Sequence, residues 1–283
     1  MAKRFEGQTV FITGASSGIG AELSRAFARE GANVALAARR ADILRANVEA
    51  IHQEGGRALA VACDVHDRAS LDAAVAATVE AFGGIDVAVA NAGFGVSGAF
   101  WKLTPDDFRR QFETNFFGVL NTVYAVMPHL EKSKGRLGLV SSVLGRLGAP
   151  ATAPYCASKF AVCGLAESLY FDLAEKGITV TCINPGIVAS NIRMTGNDGV
   201  LREGRPDPAP AWIIVPTDRA ARAIVTALYR RQFEAVITGH GKAAAFFARH
   251  FPRTTRWLMR ASTGGRMESV EKAKRGSSAP GKE

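Results

Sequence analysis

Short apolar runs alternate along this chain with longer stretches whose apolar residues recur every third or fourth position. Residues 9–13 (TVFIT) form one such run and stop at Gly14, as a strand buried on both faces of a sheet does. Ile19, Leu23, Ala26 and Phe27 then recur at helical spacing over 18–30, and Gly31 supplies a stop. The alternation continues, with strands predicted at 33–38, 58–62, 87–90, 137–141, 179–183 and 235–238. Helices are predicted at 41–54, 67–82, 105–131, 154–175 and 217–231. Pro128 falls inside the long pattern at 105–131 and should end or kink that helix. Thr217 is placed to cap the helix that begins beside it. About seven strands alternating with helices predict an α/β fold, a single doubly wound parallel sheet with helices on both faces. Ligands in such a sheet bind at the carboxyl ends of the strands. Gly14, Asn91, Ser142 and Pro185 each follow a strand and should therefore converge on one crevice.

Composition sharpens this picture at a few points. At 283 residues, 47% hydrophobic and 22% charged, the chain has ample material for a core. No apolar run reaches the roughly 18 residues of a membrane span. The opening MAKRFEGQTV enters a strand at once, so no signal peptide and a cytoplasmic placement are expected. Cys63, Cys156, Cys163 and Cys182 form no CxxC pair and are expected to be reduced, small and buried. The histidines show no metal-ligand spacing, and no metal is expected.

The net charge of +9 is unevenly placed. Residues 241–283 hold ten Lys/Arg and three Glu, a net of +7, while residues 1–240 carry only +2. The division expected is a catalytic domain over 1–240 and a basic extension over 241–283, helical to about 261 and then disordered. A nucleic-acid-binding core is not indicated. Within the extension Phe246, Phe247, Phe251, Trp257, Leu258 and Met259 mix with Lys242, Arg249, Arg253, Arg256 and Arg260, with no acid between them. Such a segment suits peripheral contact with an anionic membrane. The competing and preferred reading is a helix pair packed on the substrate loop or on a neighbouring subunit.

Two motifs carry chemistry. TGASSGIG at 13–20 lies between a strand and a helix, where small residues let backbone approach a pyrophosphate and the helix terminus offers N–H groups to it. Its spacing, TGxxxGxG, differs from the GxGxxG of other dinucleotide folds. Farther on, Tyr155 and Lys159 stand one helical turn apart and share a face, with Ser142 thirteen residues before the tyrosine. A free tyrosine ionises near about 10, so neutral-pH proton transfer needs a shift toward about 7, worth roughly 4 kcal/mol. The Lys159 ammonium, aided by a cationic ring nearby, is the source expected.

The run from about Thr9 to Gly186 resembles the short-chain dehydrogenase/reductase family in its shorter subgroup. The resemblance rests on Thr13-Gly14-Ala15-Ser16-Ser17-Gly18-Ile19-Gly20, Asp64, Asn91-Ala92-Gly93, Asn115, Ser142, Tyr155, Lys159 and Pro185-Gly186. It implies a Rossmann-type domain with Asn115, Ser142, Tyr155 and Lys159 as the catalytic set. Tyr155 would exchange the proton, Ser142 would hold the substrate carbonyl, Lys159 would also bind the nicotinamide ribose, and Asn115 would anchor a relay water. Gly14, Ser16, Ser17, Gly18, Ile19 and Gly20 would cradle the pyrophosphate, Asp64 and Val65 the adenine. Asn91 would stabilise the central sheet beside Ala92, and Gly93 would permit close approach. Pro185, Gly186, Ile187 and Ser190 would flank the nicotinamide. Of the adjacent serines, alternation along the strand points Ser141 away from the site and favours Ser142. Where NAD enzymes place an acid at the end of the second strand, this chain has Ala38 followed by Arg39, and a guanidinium suits a phosphate. NADP(H) is therefore expected over NAD(H).

The family's variable substrate loop falls at 187–215, which holds Ile192, Met194, Leu201, Trp212, Ile213 and Ile214. Phe94, Val96, Leu144 and Leu147 flank the same site, and Phe94, Leu144 and Met194 are the candidate substrate contacts. An apolar pocket suits a steroid-, retinoid- or acyl-like ketone or alcohol. The function expected is an NADP(H)-dependent oxidoreductase interconverting a secondary alcohol and a ketone. The alternatives are a 3-oxoacyl-type reductase and a non-catalytic NADP(H)-binding sensor or scaffold. By the resemblance the protein would be a homodimer or homotetramer.

Overall fold

The structure, a computed structural model, describes residues 3–200, 202, 207 and 209–261. Leu201, and the tail 262–283 expected to be disordered, lie outside the described residues. The strands are β1 (Thr9–Thr13), β2 (Asn33–Ala38), β3 (Arg57–Ala62), β4 (Val87–Ala90), β5 (Arg136–Val140), β6 (Thr179–Asn184) and β7 (Glu234–Val236). Between them run α1 (Gly18–Arg29), α2 (Ala41–Gln53), α3 (Arg68–Phe82), α4 (Pro105–Phe112), α5 (Gly118–Ser133), α6 (Ala153–Asp172) and α7 (Thr217–Tyr229), with α8 (Gly239–His250) and α9 (Pro252–Ala261) at the end.

All strand pairs are parallel, in the order β3-β2-β1-β4-β5-β6-β7. The chain builds outward from β1 to β3, then returns to the other side of β1 to lay down β4. That reversal opens a crevice at the carboxyl ends of β1 and β4. Alternate residues of β1 feed two cores. Phe11 packs with Leu71, Val75, Val119 and Val162, from α3, α5 and α6. Val10 and Ile12 pack with Leu23, Phe27, Leu44, Ile224 and Leu228, from α1, α2 and α7. Burial on both faces explains why β1, β2 and β4 read as unbroken apolar runs.

Three local expectations change. The long pattern at 105–131 is three pieces: α4, a π turn at Glu113–Phe117, and α5. Pro128 does not end α5, which runs to Ser133. A proline lacks only its own N–H, and here the helix closes six residues later at Lys134, left-handed at φ 50°. Thr217 is the first residue of α7 rather than its cap, which is Pro216. The Thr217 hydroxyl instead donates to the Ala189 carbonyl at 2.9 Å, tying α7 to the loop after β6.

Candidate active site

The turn after β1 is shaped by steric necessity. Gly14 adopts φ 68°, and a Cβ there would stand 2.7 Å from the Ala92 Cα. At Gly20 a Cβ would overlap the Gly14 carbonyl and reach 2.6 Å from Asn91 Nδ2. Asn91 locks the two strand ends together, its Nδ2 donating to the Thr13 carbonyl at 3.0 Å and the Gly14 carbonyl at 3.3 Å. Ser17 precedes α1 in extended conformation and makes no side-chain cap, so no side chain fills the helix terminus at Gly18, Ile19 and Gly20. Open N–H groups in a cradle without side chains fit a pyrophosphate. Ser190 stands over this turn, 3.4 Å from where a Gly18 Cβ would lie.

Two residues the sequence did not single out hold the turn. Asn47 Nδ2 donates to the Ala15 and Ser16 carbonyls at 3.4 and 3.3 Å. Arg40 Nη2 donates to Ser16 Oγ at 2.9 Å and Ser17 Oγ at 3.3 Å. The sequence pointed to Arg39, which is exposed, whereas the guanidinium that touches the turn is that of Arg40. At the end of β3, Asp64 Oδ1 accepts the His66 N–H at 3.1 Å, and the buried Val65 accepts from Asn121 Nδ2 through its carbonyl at 3.0 Å.

The four residues expected to act together surround one point. Asn115 is fully buried in the π turn, a local widening of the helix often met at functional sites. Its Oδ1 accepts the Phe94 N–H at 3.1 Å, and its Nδ2 donates to the Phe94 carbonyl at 3.0 Å and Ser158 Oγ at 3.3 Å. Gly93 brings Asn115 and Lys159 close, since a Cβ there would lie 3.1 Å from Asn115 Oδ1 and 3.6 Å from Lys159 Nζ. Lys159 is buried on α6, its Nζ donating to the Val140 carbonyl at 2.9 Å and standing 5.7 Å from the centre of the Tyr155 ring. Ser142 Oγ accepts the Leu144 N–H at 3.1 Å and lies in hydrogen-bonding relation to Tyr155. Ser141 turns away, its hydroxyl donating to the Lys159 carbonyl at 2.8 Å within the core.

The protein groups alone do not shift the tyrosine toward neutrality; the expected shift also draws on a cationic ring. Burial pushes the Tyr155 phenol up to about 12, with the Ser142 hydrogen bond as the main counterweight. Burial also drives Lys159 down to about 8. Desolvation outweighs the Ser142 hydrogen bond and the Arg193 charge, so a lowering of the phenol calls for charge brought in with a ligand.

The substrate side is built by three loops. A Cβ at Gly95 would lie 3.7 Å from Tyr155 Cδ2 and 3.8 Å from Ile192 Cγ1, so the 93–98 segment and the loop after β6 meet beside the phenol. Asn197 ties those loops together, exchanging hydrogen bonds with the Ser97 backbone at 3.0 and 2.9 Å. Phe94, Leu144, Leu147, Ile192, Met194, Ile213 and Ile214 are partly buried, as a cleft lining would be. Val96 is not lining: it is wholly buried, with its N–H on Gln111 Oε1 at 2.6 Å. Trp212 is 85% exposed and stands outside the cleft. On the nicotinamide side Pro185 is buried, and its carbonyl accepts the Val143 N–H at 2.9 Å. The Ile187 N–H donates to His240 Nε2 at 2.9 Å, and a Cβ on Gly186 would collide with His240 and Thr238. Burial lowers the His240 pKa, which favours the neutral ring that this acceptor role requires. The position of His240 just past β7, at the carboxyl edge of the sheet, was the signal available for it.

The cysteines are all free and buried. Cys163 and Cys182, not paired in the sequence reading, have their sulfurs 3.7 Å apart beneath α6. Among the described residues no cluster of His, Cys, Asp and Glu is disposed to hold a metal, and no helix is long and apolar enough to cross a membrane.

Residues 8–200 match the family model for short chain dehydrogenase. The oxidoreductase UcpA of Salmonella typhimurium is 38% identical over 206 residues, covering 72% of this chain and 76% of UcpA. The glycine betaine reductase ATRR of Emericella nidulans is 35% identical over 223 residues; this alignment takes in 78% of this chain but spans only 18% of that protein. Among solved structures, a short chain dehydrogenase/reductase from Burkholderia phymatum in complex with NAD superposes with a TM-score of 0.77 at 26% identity, over 87% of this chain and 94% of that one. The chain belongs to the short-chain dehydrogenase/reductase family of oxidoreductases.

Proposed function

We propose that this protein is an NADP(H)-dependent oxidoreductase that interconverts a secondary alcohol and a ketone on a hydrophobic, steroid-, retinoid- or acyl-like substrate. The observation that carries the reading is the meeting of Asn115, Ser142, Tyr155 and Lys159 beside a glycine turn open to a pyrophosphate. When bound, the nicotinamide supplies or accepts the hydride at the carbonyl carbon. Ser142 holds the carbonyl oxygen, and Tyr155 gives that oxygen its proton in reduction or takes it in oxidation. Lys159, anchored on the Val140 carbonyl, binds ribose hydroxyls and keeps positive charge beside the phenol. Asn115 fixes the Phe94 backbone and holds the relay water. Pro185, Gly186, Ile187 and Ser190 flank the nicotinamide, and Asp64 and Val65 border the adenine.

Arg39 and Arg40 meet the 2′-phosphate. The Burkholderia relative holds NAD. The replacement of an acid by Ala38 and the contact of Arg40 with Ser16 and Ser17 support NADP(H) for this chain. Phe94, Leu144 and Met194 contact the substrate. Exposed Phe117, Tyr124, Phe160 and Phe171, on or beside α5 and α6, support a homodimer or homotetramer. The protein works in the cytoplasm, as a catalytic domain over 1–240 with a basic extension in peripheral contact with membranes.

The test is oxidation of NADPH and of NADH against ketones spanning steroids, retinals, acyl thioesters and small aromatics. The reading expects turnover of one apolar class, with kcat/KM at least about tenfold higher for NADPH. Turnover confined to acyl thioesters would make it a 3-oxoacyl-type reductase. Tight NADPH binding with no turnover of any ketone would make it a sensor or scaffold.

A further inference from the structure

The pair α8–α9 is built unlike the rest of the molecule. Among the described elements α9 packs chiefly on α8, and α8 in turn on the segment Val143–Gly145 at the edge of the site. Both helices leave large apolar side chains in solvent: Phe246 and Phe247 are each 53% exposed, Trp257 67% and Leu258 55%. Exposed apolar groups also occur on α5, on α6 and at Trp212, so what sets α8–α9 apart is the cations set among them. On α9 the arginines 253, 256 and 260 recur at helical spacing and share a side with Trp257, while Thr255 and Met259 are its less exposed positions. Residues 239–261 hold five Lys/Arg and no carboxylate.

We propose that α8–α9 is a docking surface for an anionic lipid bilayer, with Phe246, Phe247, Trp257 and Leu258 entering the interface and the arginines meeting the headgroups. This gives a defined surface to the peripheral placement proposed above and does not depend on the catalytic reading. Charge complementarity selects the occupant. Exposed aromatic and aliphatic groups interleaved with cations match the apolar and anionic layers of a bilayer surface. A second copy of the chain would set like against like: a twofold contact joins the same patch on both subunits, and this patch has no acid to pair its five cations.

The surface is joined to the site. At the start of α8, His240 accepts the Ile187 N–H, and a Cβ on Gly241 would stand 2.8 Å from Val143. The twelve residues of α8 span roughly 18 Å, so its far end lies about one helix length from Ile187 and Val143 at the edge of the site. A ketone dissolved in the membrane would then be presented close to the cleft.

The experiment is co-sedimentation of the full chain with phosphatidylcholine vesicles, with and without 30 mol% phosphatidylserine. No substrate is added, so failure of the enzyme assignment leaves the result unaffected. The expectation is binding to the anionic vesicles only, weakened by high salt. Each cation near an anionic surface strengthens binding severalfold, so the combined variant R253Q/R256Q/R260Q should bind roughly a hundredfold more weakly. Trp257→Ser with Phe246→Ser should also reduce binding. These side chains are exposed, so the variants should keep the wild-type melting temperature, which is measured alongside. Equal retention on neutral vesicles, no retention at all, or unchanged binding of the arginine variant would overturn the proposal. So would a fall in solution mass of the W257S/F246S variant, which would show that a second copy covers the face.

Discussion

Lys159 is a charge buried at an energetic cost, and that cost can be measured. Its pKa falls from 10.5 to about 8 because burial penalises the ammonium. A shift of about 2.5 units corresponds to about 3 kcal/mol held against the fold. In Lys159→Met the stem keeps most of its volume and the charge disappears, but the Val140 carbonyl loses its donor, a loss of about 1 kcal/mol. The variant should therefore be more stable than the wild type by about 2 kcal/mol at pH 7. For a chain of this length that raises Tm by about 4 °C. The sign with pH follows from linkage. Below pH 8 the lysine is charged in both the folded and unfolded chain, and the full penalty stands. Between about 8 and 10.5 the unfolded state holds a proton that the folded state has released, so wild-type stability rises with pH and the gap to the variant closes. Turnover should move the other way, falling at least about a hundredfold as Tyr155 loses its ammonium neighbour. Thermal melts of both proteins from pH 6.5 to 10 decide the matter. A variant that melts below the wild type at pH 7, or a gap that does not change with pH, would refute the buried-charge reasoning.

Three further substitutions probe the cradle and its supports. Gly20→Ala should raise the NADPH dissociation constant at least about tenfold and cost about 1–3 kcal/mol by forcing a Cβ onto the Gly14 carbonyl and Asn91; calorimetric titration and denaturant melts would read both. Arg40→Asp should weaken NADPH at least about tenfold and NADH less than about threefold, and equal effects would remove the phosphate contact. Asn115→Ala strands the N–H of Phe94, while the Phe94 carbonyl keeps Gln111 Nε2, and should cost about 1–3 kcal/mol in urea unfolding, with no loss if the π turn relaxes onto another partner.

The sheet was readable because its strands are buried on both faces. Asn33–Ala38 and Thr9–Thr13 are unbroken apolar runs closed by polar or glycine residues, and their bounds fall where the pattern places them. The helices were readable as amphipathic repeats, but not their interruptions. The π turn at Glu113–Phe117 leaves the hydrophobic pattern of 105–131 unbroken, and Pro128 sits near enough to the end of α5 to be tolerated. In the site, groups joined by short local spacing were legible: the glycine turn, and Tyr155 with Lys159. Groups that act from a distance in sequence were not. Arg40 and Asn47 reach the turn from α2 and its start, His240 reaches Ile187 across 53 residues, and Cys163 meets Cys182 only because α6 lies over β6. The electrostatic balance at the tyrosine was not legible for a related reason. Spacing shows that an ammonium is near, but only the packed structure shows how much water both groups lose.

The central claim is that Tyr155 exchanges the proton in a reaction for which the rest of the site only binds and orients. Its most direct test compares wild type and Tyr155→Phe in two assays, steady-state turnover of the best ketone and fluorescence titration with NADPH. The account predicts that kcat falls by about a hundredfold to ten-thousandfold while the NADPH dissociation constant stays within about threefold. Undiminished turnover in the variant would contradict it.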